Sequence, residues 1–326
     1  MITSFKLITL NINSENGDFE FERLITEQRN FATTNIDRMN TIEGLRLINK
    51  EDKKVAKAVE AEIPKISRTV DYVIKAFVKG GRLIYVGAGT SGRLGIMDAA
   101  ECPPTFSTNS KMVQALIAGG MKAMFKAVEG AEDDIHKGAE DVRKLKVSNN
   151  DVVIGLSSSG RTPYVIGALK EAHRKGAKTV AIATVNEPKI GYFADVVIAP
   201  IVGPEVLTGS TRMKAGTAEK MILNMISTMS MIKIGKAYTN LMIDLKPMSA
   251  KLRSRARRIL NLLTDLSSSQ AKIIFECSGR NLKVALVMAL ANRNKKEAEK
   301  ALKINKGLIW KATESLKPTC LVKRRK

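Results

Sequence analysis

A chain of 326 residues, 44% of them hydrophobic, is sized for one large domain or two smaller ones. It contains no apolar run of about 18 residues, so no membrane span is expected. Its formal net charge of +22 is concentrated near one end: from Leu245 to Lys326 there are 21 Lys and Arg against 5 Asp and Glu. No nucleic-acid module or aromatic stacking pattern accompanies that charge, so it reads as a lysine-rich solvated surface rather than a nucleic-acid site. Cys102, Cys277 and Cys320 have neither disulfide nor metal-ligand spacing. That usage points to a reducing, cytoplasmic setting.

Residues 1 to about 22 are weakly specified, and the apolar patch Leu7 to Leu10 is too short and polar-flanked for a signal peptide. From Leu24 to Ile74 the pattern is helical, with Asp37 or Thr41 as cap candidates and Pro64 near a helix start. Strands are then expected at 82–87, 112–117, 151–156, 178–183 and 195–199. Helices are expected between them at 92–100, 121–129, 134–144 and 162–175. Such alternation predicts a parallel sheet covered by helices on both faces. Ala218 to Gly235, with no charge between Lys220 and Lys233, reads as a buried helix. Residues 250 to about 312 predict short helices, with Thr264, Ser267 and Ser268 as N-cap candidates, and Lys323 to Lys326 read as a mobile tail. The organisation is an α/β chain of three parts: N-terminal helices over 1–60, the sheet unit over 61–244, and a small helical unit with a basic tail over 245–326.

The first loop, Gly87-Ala88-Gly89-Thr90-Ser91-Gly92-Arg93, joins the strand Leu83 to Val86 to a helix. A strand–glycine loop–helix unit offers main-chain N–H groups and a positive helix end to an anion. It matches G-x-G-x-x-G, but the next strand ends in Ala118-Gly119-Gly120, where a dinucleotide fold places an acid for the ribose. The hydroxyls of Thr90 and Ser91 suit a compact phosphate monoester instead. A second unit repeats the logic: Val152-Val153-Ile154 runs into Gly155-Leu156-Ser157-Ser158-Ser159-Gly160-Arg161-Thr162-Pro163. Ser157, Ser159 and Thr162 are candidate phosphate ligands, and Pro163 suits the first helical turn. Serine-rich loops also cap helices. Two such loops at neighbouring strand ends, however, converge on one ligand.

A third loop, Gly203 to Thr217, carries hydroxyls, glycines and the cations Arg212 and Lys214, which are candidates for contact with an anionic sugar. In it Ser210 or Thr211 could cap the following helix. Glu101 precedes Pro103-Pro104 and is either an exposed helix-end acid or a functional carboxylate. Glu132, within Glu129-Gly130-Ala131-Glu132-Asp133-Asp134, is either a helix N-terminal acid favoured by the macrodipole or a functional one. His136 and His173 have no partner at metal-ligand spacing, so neither a metal nor a histidine triad is expected.

Taken together, Gly87 to Arg93, Ala100-Glu101-Cys102-Pro103-Pro104-Thr105, Glu129 to Asp133, Ser159-Gly160-Arg161-Thr162-Pro163-Tyr164 and Thr208 to Thr217 resemble the N-acetylmuramic acid 6-phosphate etherases. The resemblance runs from about Leu24 to about Gly307, with Phe31 standing where the family usually has Pro. It implies the sugar isomerase (SIS) fold, a five-stranded parallel sheet flanked by helices, with a sugar-phosphate site similar to that of the glucokinase regulatory protein. It implies a carbon–oxygen lyase without cofactor that releases D-lactate from N-acetylmuramic acid 6-phosphate. Glu101 would be the proton donor and Glu132 the base, within cytoplasmic amino-sugar catabolism and peptidoglycan recycling. It also implies a homodimer and a UBA-like character for the unit over 245–326. An aldose–ketose isomerase on the same fold, a non-catalytic sugar-phosphate sensor and a nucleic-acid-binding role for the basic tail are the competing readings.

Overall fold

The computed structural model describes residues 24–244 and 250–317. The Leu7 to Leu10 patch, Cys320 and the Lys323 to Lys326 tail lie outside them. After two 3₁₀ turns, Phe31–Thr33 and Ile36–Arg38, come helices α1 (Thr41–Glu60) and α2 (Ile63–Val78). The cap of α1 is Asn40, whose Oδ1 accepts from Glu43 N at 3.0 Å, rather than Asp37 or Thr41. Pro64 sits in the first turn of α2, as expected, where its missing N–H costs no helix bond.

The sheet strands are β1 (Leu83–Gly87), β2 (Val113–Ile117), β3 (Val152–Leu156), β4 (Lys178–Ile182) and β5 (Val196–Ile198), within a residue or two of the expected spans. All pairs are parallel, in the order β2-β1-β3-β4-β5. Side chains alternate between two cores. Leu83, Tyr85, Val152, Ile154, Val180 and Ile182 face one. Ile84, Val86, Val153 and Ala181 face the other. The first core is closed by α1, α2, α3 (Gly89–Phe106) and α7 (Lys214–Lys233); the second by α5 (Ile135–Lys144) and α6 (Pro163–Arg174). Each fully buried Ile, Leu or Val contributes about 1.5–3 kcal/mol, so two cores on one sheet fix the strand register firmly.

Besides residues 24–40, where turns and 3₁₀ turns stand in place of the expected helix, three elements depart from expectation, each for a local reason. Helix α3 runs on through Pro103 and Pro104 to a left-handed Ser107, because both prolines fall in its last turns and Phe106 is buried beyond them. Helix α4 (Lys122–Phe125) is only one turn long, and Arg93 Nε takes the freed carbonyls of Ala123 and Met124 at 3.1 and 3.2 Å. Helix α7 starts at Lys214 rather than Ala218. Its first N–H groups, of Lys214 and Ala215, donate to the buried Glu205 carboxylate at 3.0 and 2.9 Å, so neither Ser210 nor Thr211 caps it. It is also not buried all round, since Met225 and Met229 are exposed.

Beyond a short hairpin of β6 (Ala237–Tyr238) and β7 (Leu241–Met242), helices α8 (Ala250–Leu263), α9 (Ser268–Cys277), α10 (Leu282–Ala291), α11 (Lys295–Ile304) and α12 (Ile309–Leu316) share a core of their own. Ser267 forms a capping box with Gln270, as its candidacy predicted. Among the described residues no helix is long and apolar enough to cross a membrane.

Candidate active site

The chain leaves β1 toward β2 on one side, then returns across to β3 on the other. The strand ends of β1 and β3 therefore form the switch point at which open α/β sheets bind ligands. Register pairs Gly87 with Leu156, so the first and second loops start side by side. A cleft of about 290 Å³ opens there, lined by Thr90, Ser91, Ser157, Ser159, Thr162 and Glu132 among others. Six of the nine candidate residues thus converge.

The second loop holds its hydroxyls as a cluster. Ser157 Oγ lies 2.8 Å from Thr162 Oγ1 and 3.4 Å from Ser159 Oγ. Thr162 occupies the N-cap position of α6 without capping it by side chain, so these hydroxyls are not consumed by the helix end. The loop needs Gly160: its φ is +69°, and a Cβ there would strike Pro188. In the first loop, Gly92 lets α3 lie against β1 and β2, since a Cβ would meet Gly87 O and the Ile117 side chain. The first-turn N–H groups of α3 have no intrahelical acceptor, and the residues of that turn, Gly89 to Ser91, line the cleft.

Glu132 lies on a 3₁₀ turn, Ala131–Asp133, and is exposed. The neighbouring Asp134 is the helix cap, accepting from Lys137 N at 2.8 Å, which leaves Glu132 to the cleft. A recess of about 230 Å³ shared by Glu132, Ala88 and Gly89 continues past Arg93 and Val128. Arg161, Glu27, Gly209 and Thr211 complete the rim of the main cleft. A larger groove of about 480 Å³, lined by Leu241, Arg255 and Arg258, carries none of the candidate residues.

Three candidates are not in the cleft. Arg212 is exposed beside Thr211. Lys214 cannot meet a substrate carboxylate from its place in the fold. Its side chain is 1% exposed, and Nζ donates to Glu51 Oε2 at 2.8 Å. Burial alone would raise the Glu51 carboxyl, but hydrogen bonds from Lys214, Lys54 and Asn30 and the Lys214 charge hold it down at about 2. Glu101 is exposed near the far end of α3, twelve residues beyond Gly89, which at 1.5 Å per residue is about 18 Å along the helix.

One buried group escaped the sequence reading. Glu219, on α7 and fully buried, accepts from Ser91 Oγ at 2.9 Å and Ser158 Oγ at 3.1 Å, both on Oε1. Burial pushes its carboxyl up to about 7 although the two hydroxyls favour the ionised form. Helical spacing carried the signal: Ala215, Ala218, Ile222, Leu223 and Ile226 form the buried stripe, and Glu219 stands within it.

A family model described as the glucokinase regulatory protein N-terminal SIS domain matches residues 65–173. N-acetylmuramic acid 6-phosphate etherase of Clostridium botulinum (strain Loch Maree / Type A3) is 48% identical over 299 residues, covering 92% of this chain and 99% of that one. The enzyme of that name from Klebsiella aerogenes is 49% identical, covering 90% and 98%. The one from Lactobacillus gasseri is 51% identical, covering 89% and 98%. The chain belongs to the N-acetylmuramic acid 6-phosphate etherase family. Among solved structures, a phosphoheptose isomerase from Neisseria gonorrhoeae is 19% identical with a TM-score of 0.46, covering 59% of this chain and 98% of that one.

In this member of the etherase family, the hydroxyl cluster, the first turn of α3 and the carboxylates of Glu132, Asp133 and Glu27 share a single cleft. Hydroxyls and a helix N-terminus can hold an oxyanion, and a carboxylate can act as a base. The pairing of Lys214 with Glu51 serves the frame of the site. Asn30 Nδ2 donates to the same Glu51 oxygen at 3.0 Å and to Pro204 O at 3.2 Å, which ties the third loop to the N-terminal segment.

Proposed function

We propose that this protein cleaves the D-lactyl ether of N-acetylmuramic acid 6-phosphate, giving N-acetylglucosamine 6-phosphate and D-lactate. The observation that carries the reading is the convergence of Ser157, Ser159, Thr162 and the first turn of α3 on a cleft that also holds Glu132. Family membership supports the choice of substrate over a sugar isomerase or a sensor.

The phosphate rests on the hydroxyl cluster and the α3 N–H groups. In the open-chain sugar the C1 carbonyl acidifies C2–H. Glu132 takes that proton, the C2–C3 double bond forms, and the C3–O bond breaks as the lactyl oxygen is protonated. Water then adds across the double bond, OH to C3 and H to C2. An acid and a base are each worth about 10²–10⁴ in rate.

The acid assigned by resemblance is Glu101. Its place near the far end of α3 separates it from a phosphate at the start of that helix by more than one sugar spans. We therefore place Glu101 in the cleft of a second copy, in a homodimer. Support comes from the surface beside it. Met97, Met225 and Met229 are exposed on α3 and α7, whose neighbouring residues Asp98 and Asn224 are hydrogen-bonded at 2.7 Å. The reaction belongs to the unit over 61–244, acting in the cytoplasm on amino sugars released from the cell wall.

The test is D-lactate release from the substrate in ¹⁸O water. Lactate with ¹⁸O in the sugar C3 hydroxyl is expected. Ligand binding without lactate would overturn the reading in favour of a sensor, and sugar isomerisation with the ether intact would favour an isomerase.

A further inference from the structure

Beneath the cleft, Glu219 joins three elements. Its Oε1 receives Ser91 Oγ from the first turn of α3 and Ser158 Oγ from the second loop, while its own backbone belongs to α7. Its Oε2 is buried with no hydrogen-bond partner among the described residues. Ser158 is itself fixed, since its carbonyl accepts from Thr184 N and Thr184 Oγ1, both at 3.1 Å. The start of α7 is fixed in turn by Glu205 and by the Lys214–Glu51 pair. The two halves of the anion cradle are thus spaced by one oxygen atom.

We propose that Glu219 is a positioning residue for the phosphate cradle, holding both loops as a neutral acid and weakening anion binding when it ionises. The inference rests on reading the cleft as a phosphate site. A carboxylate with one oxygen unpartnered, directly under a bound dianion, is opposed both by burial and by like charge. The neutral acid is not opposed by the dianion and is opposed far less by burial, and its carbonyl oxygen still accepts two hydroxyls.

The charged groups on the packed elements leave this arrangement uncompensated. On α7, Lys214 is closed on Glu51, and Lys220 acts on Asp98. On α3, Asp98 is bonded to Tyr85, Asn224 and Ser227, and Arg93 to carbonyls of α4. On α1, Glu51 also takes Lys54. At the N-cap of α2, Glu62 is paired with Lys65. From the loops, Arg161, Glu132, Asp133 and Glu27 line the cleft above. Among the described residues, burial outweighs the two hydroxyls and pushes the Glu219 carboxyl up to about 7. A phosphate arriving above raises it further, so above neutrality binding takes up one proton. Affinity then falls by about tenfold per pH unit.

The test is calorimetric titration of N-acetylglucosamine 6-phosphate into wild type, Glu219→Gln and Ser157→Ala between pH 6 and 9. Glutamine keeps the shape and the accepting oxygen but cannot ionise. The ratio of wild-type to Glu219→Gln dissociation constants cancels the titration of the ligand itself. That ratio is expected to climb about tenfold per unit above pH 7. Wild type at pH 8, compared in two buffers of different ionisation enthalpy, is expected to take up close to one more proton per ligand than Glu219→Gln. Binding that is weakened by Ser157→Ala, yet follows the same pH profile in wild type and Glu219→Gln, overturns the role of Glu219 and leaves the cradle standing. Absence of binding, or binding indifferent to Ser157→Ala, overturns the cradle and this inference together.

Discussion

Lys214 Nζ donates to Glu51 Oε2 across 2.8 Å, joining the start of α7 to the middle of α1, with both side chains almost wholly out of solvent. Removing one partner strands the other charge in the core. Glu51→Gln is expected to cost about 3–5 kcal/mol in unfolding free energy, whereas Glu51→Leu with Lys214→Met recovers most of that loss. Chemical denaturation of the three proteins checks it, and equal stability of Glu51→Gln and wild type would contradict it.

The same pair sets an acid limit. The Glu51 carboxyl is held at about 2 in the folded chain against 4.5 when unperturbed. A depressed carboxylate contributes stability that is fully present above about pH 4.5 and is lost as pH falls toward 2. The unfolding midpoint should therefore drop over that window in wild type, and the Glu51→Leu/Lys214→Met variant should lose less there. Circular-dichroism melts across the window provide the comparison.

Glu219 predicts the opposite slope. Its carboxyl is raised from 4.5 to about 7 by burial, so the folded chain holds a proton that the unfolded chain has released. Stability from the neutral acid is complete below about pH 4.5 and is lost as pH rises through 7. Thermal melts of ligand-free protein should fall between pH 5 and 8, and Glu219→Gln should flatten that fall. A wild-type curve as flat as that of the variant would reject the assignment.

The parts of the site visible in the sequence are those set by local chain geometry. A glycine loop after an apolar strand places its hydroxyls whatever the tertiary context, so Ser157, Ser159 and Thr162 were found with their neighbours. Glu132 was legible as an acid, but the role of Asp134 as the cap needed the helix start to be seen. Lys214 and Glu51 are 163 positions apart, and nothing local distinguishes a lysine aimed at a buried carboxylate from one aimed at a substrate. The early start of α7 depends on Glu205, a carboxylate outside the helix, which no propensity records. The distance of Glu101 from the cleft follows from α3 starting at Gly89 and running unbroken to Glu101, ahead of its two prolines.

The hydroxyl cluster of the second loop gives a prediction specific to binding. Ser157 and Thr162 are 2.8 Å apart and neither caps α6, so truncating one leaves the helix intact. Hydrogen bonds to charged groups are worth about 1.5–3 kcal/mol, so Ser157→Ala or Thr162→Val should raise KM roughly 10- to 100-fold. The turnover number should change much less, since the phosphate is remote from C2 and C3. A fall in kcat at constant KM would place these hydroxyls nearer the reacting atoms than the cradle allows.

Placing Glu101 in the neighbouring cleft makes the two carboxylates separable by complementation. Glu132→Gln alone should abolish solvent exchange of the C2 proton, and Glu101→Gln alone should abolish lactate release, each by about 10²–10⁴. Co-expressed in equal amounts, the two inactive chains form mixed dimers in about half of cases under two-fold symmetry. In each mixed dimer one cleft receives Glu132 from its own chain and Glu101 from the other, and the second cleft lacks both. Lactate release should return to about a quarter of wild type. Were Glu101 to serve the cleft of its own chain, every cleft in the mixture would lack one carboxylate and activity would stay at the level of the single variants.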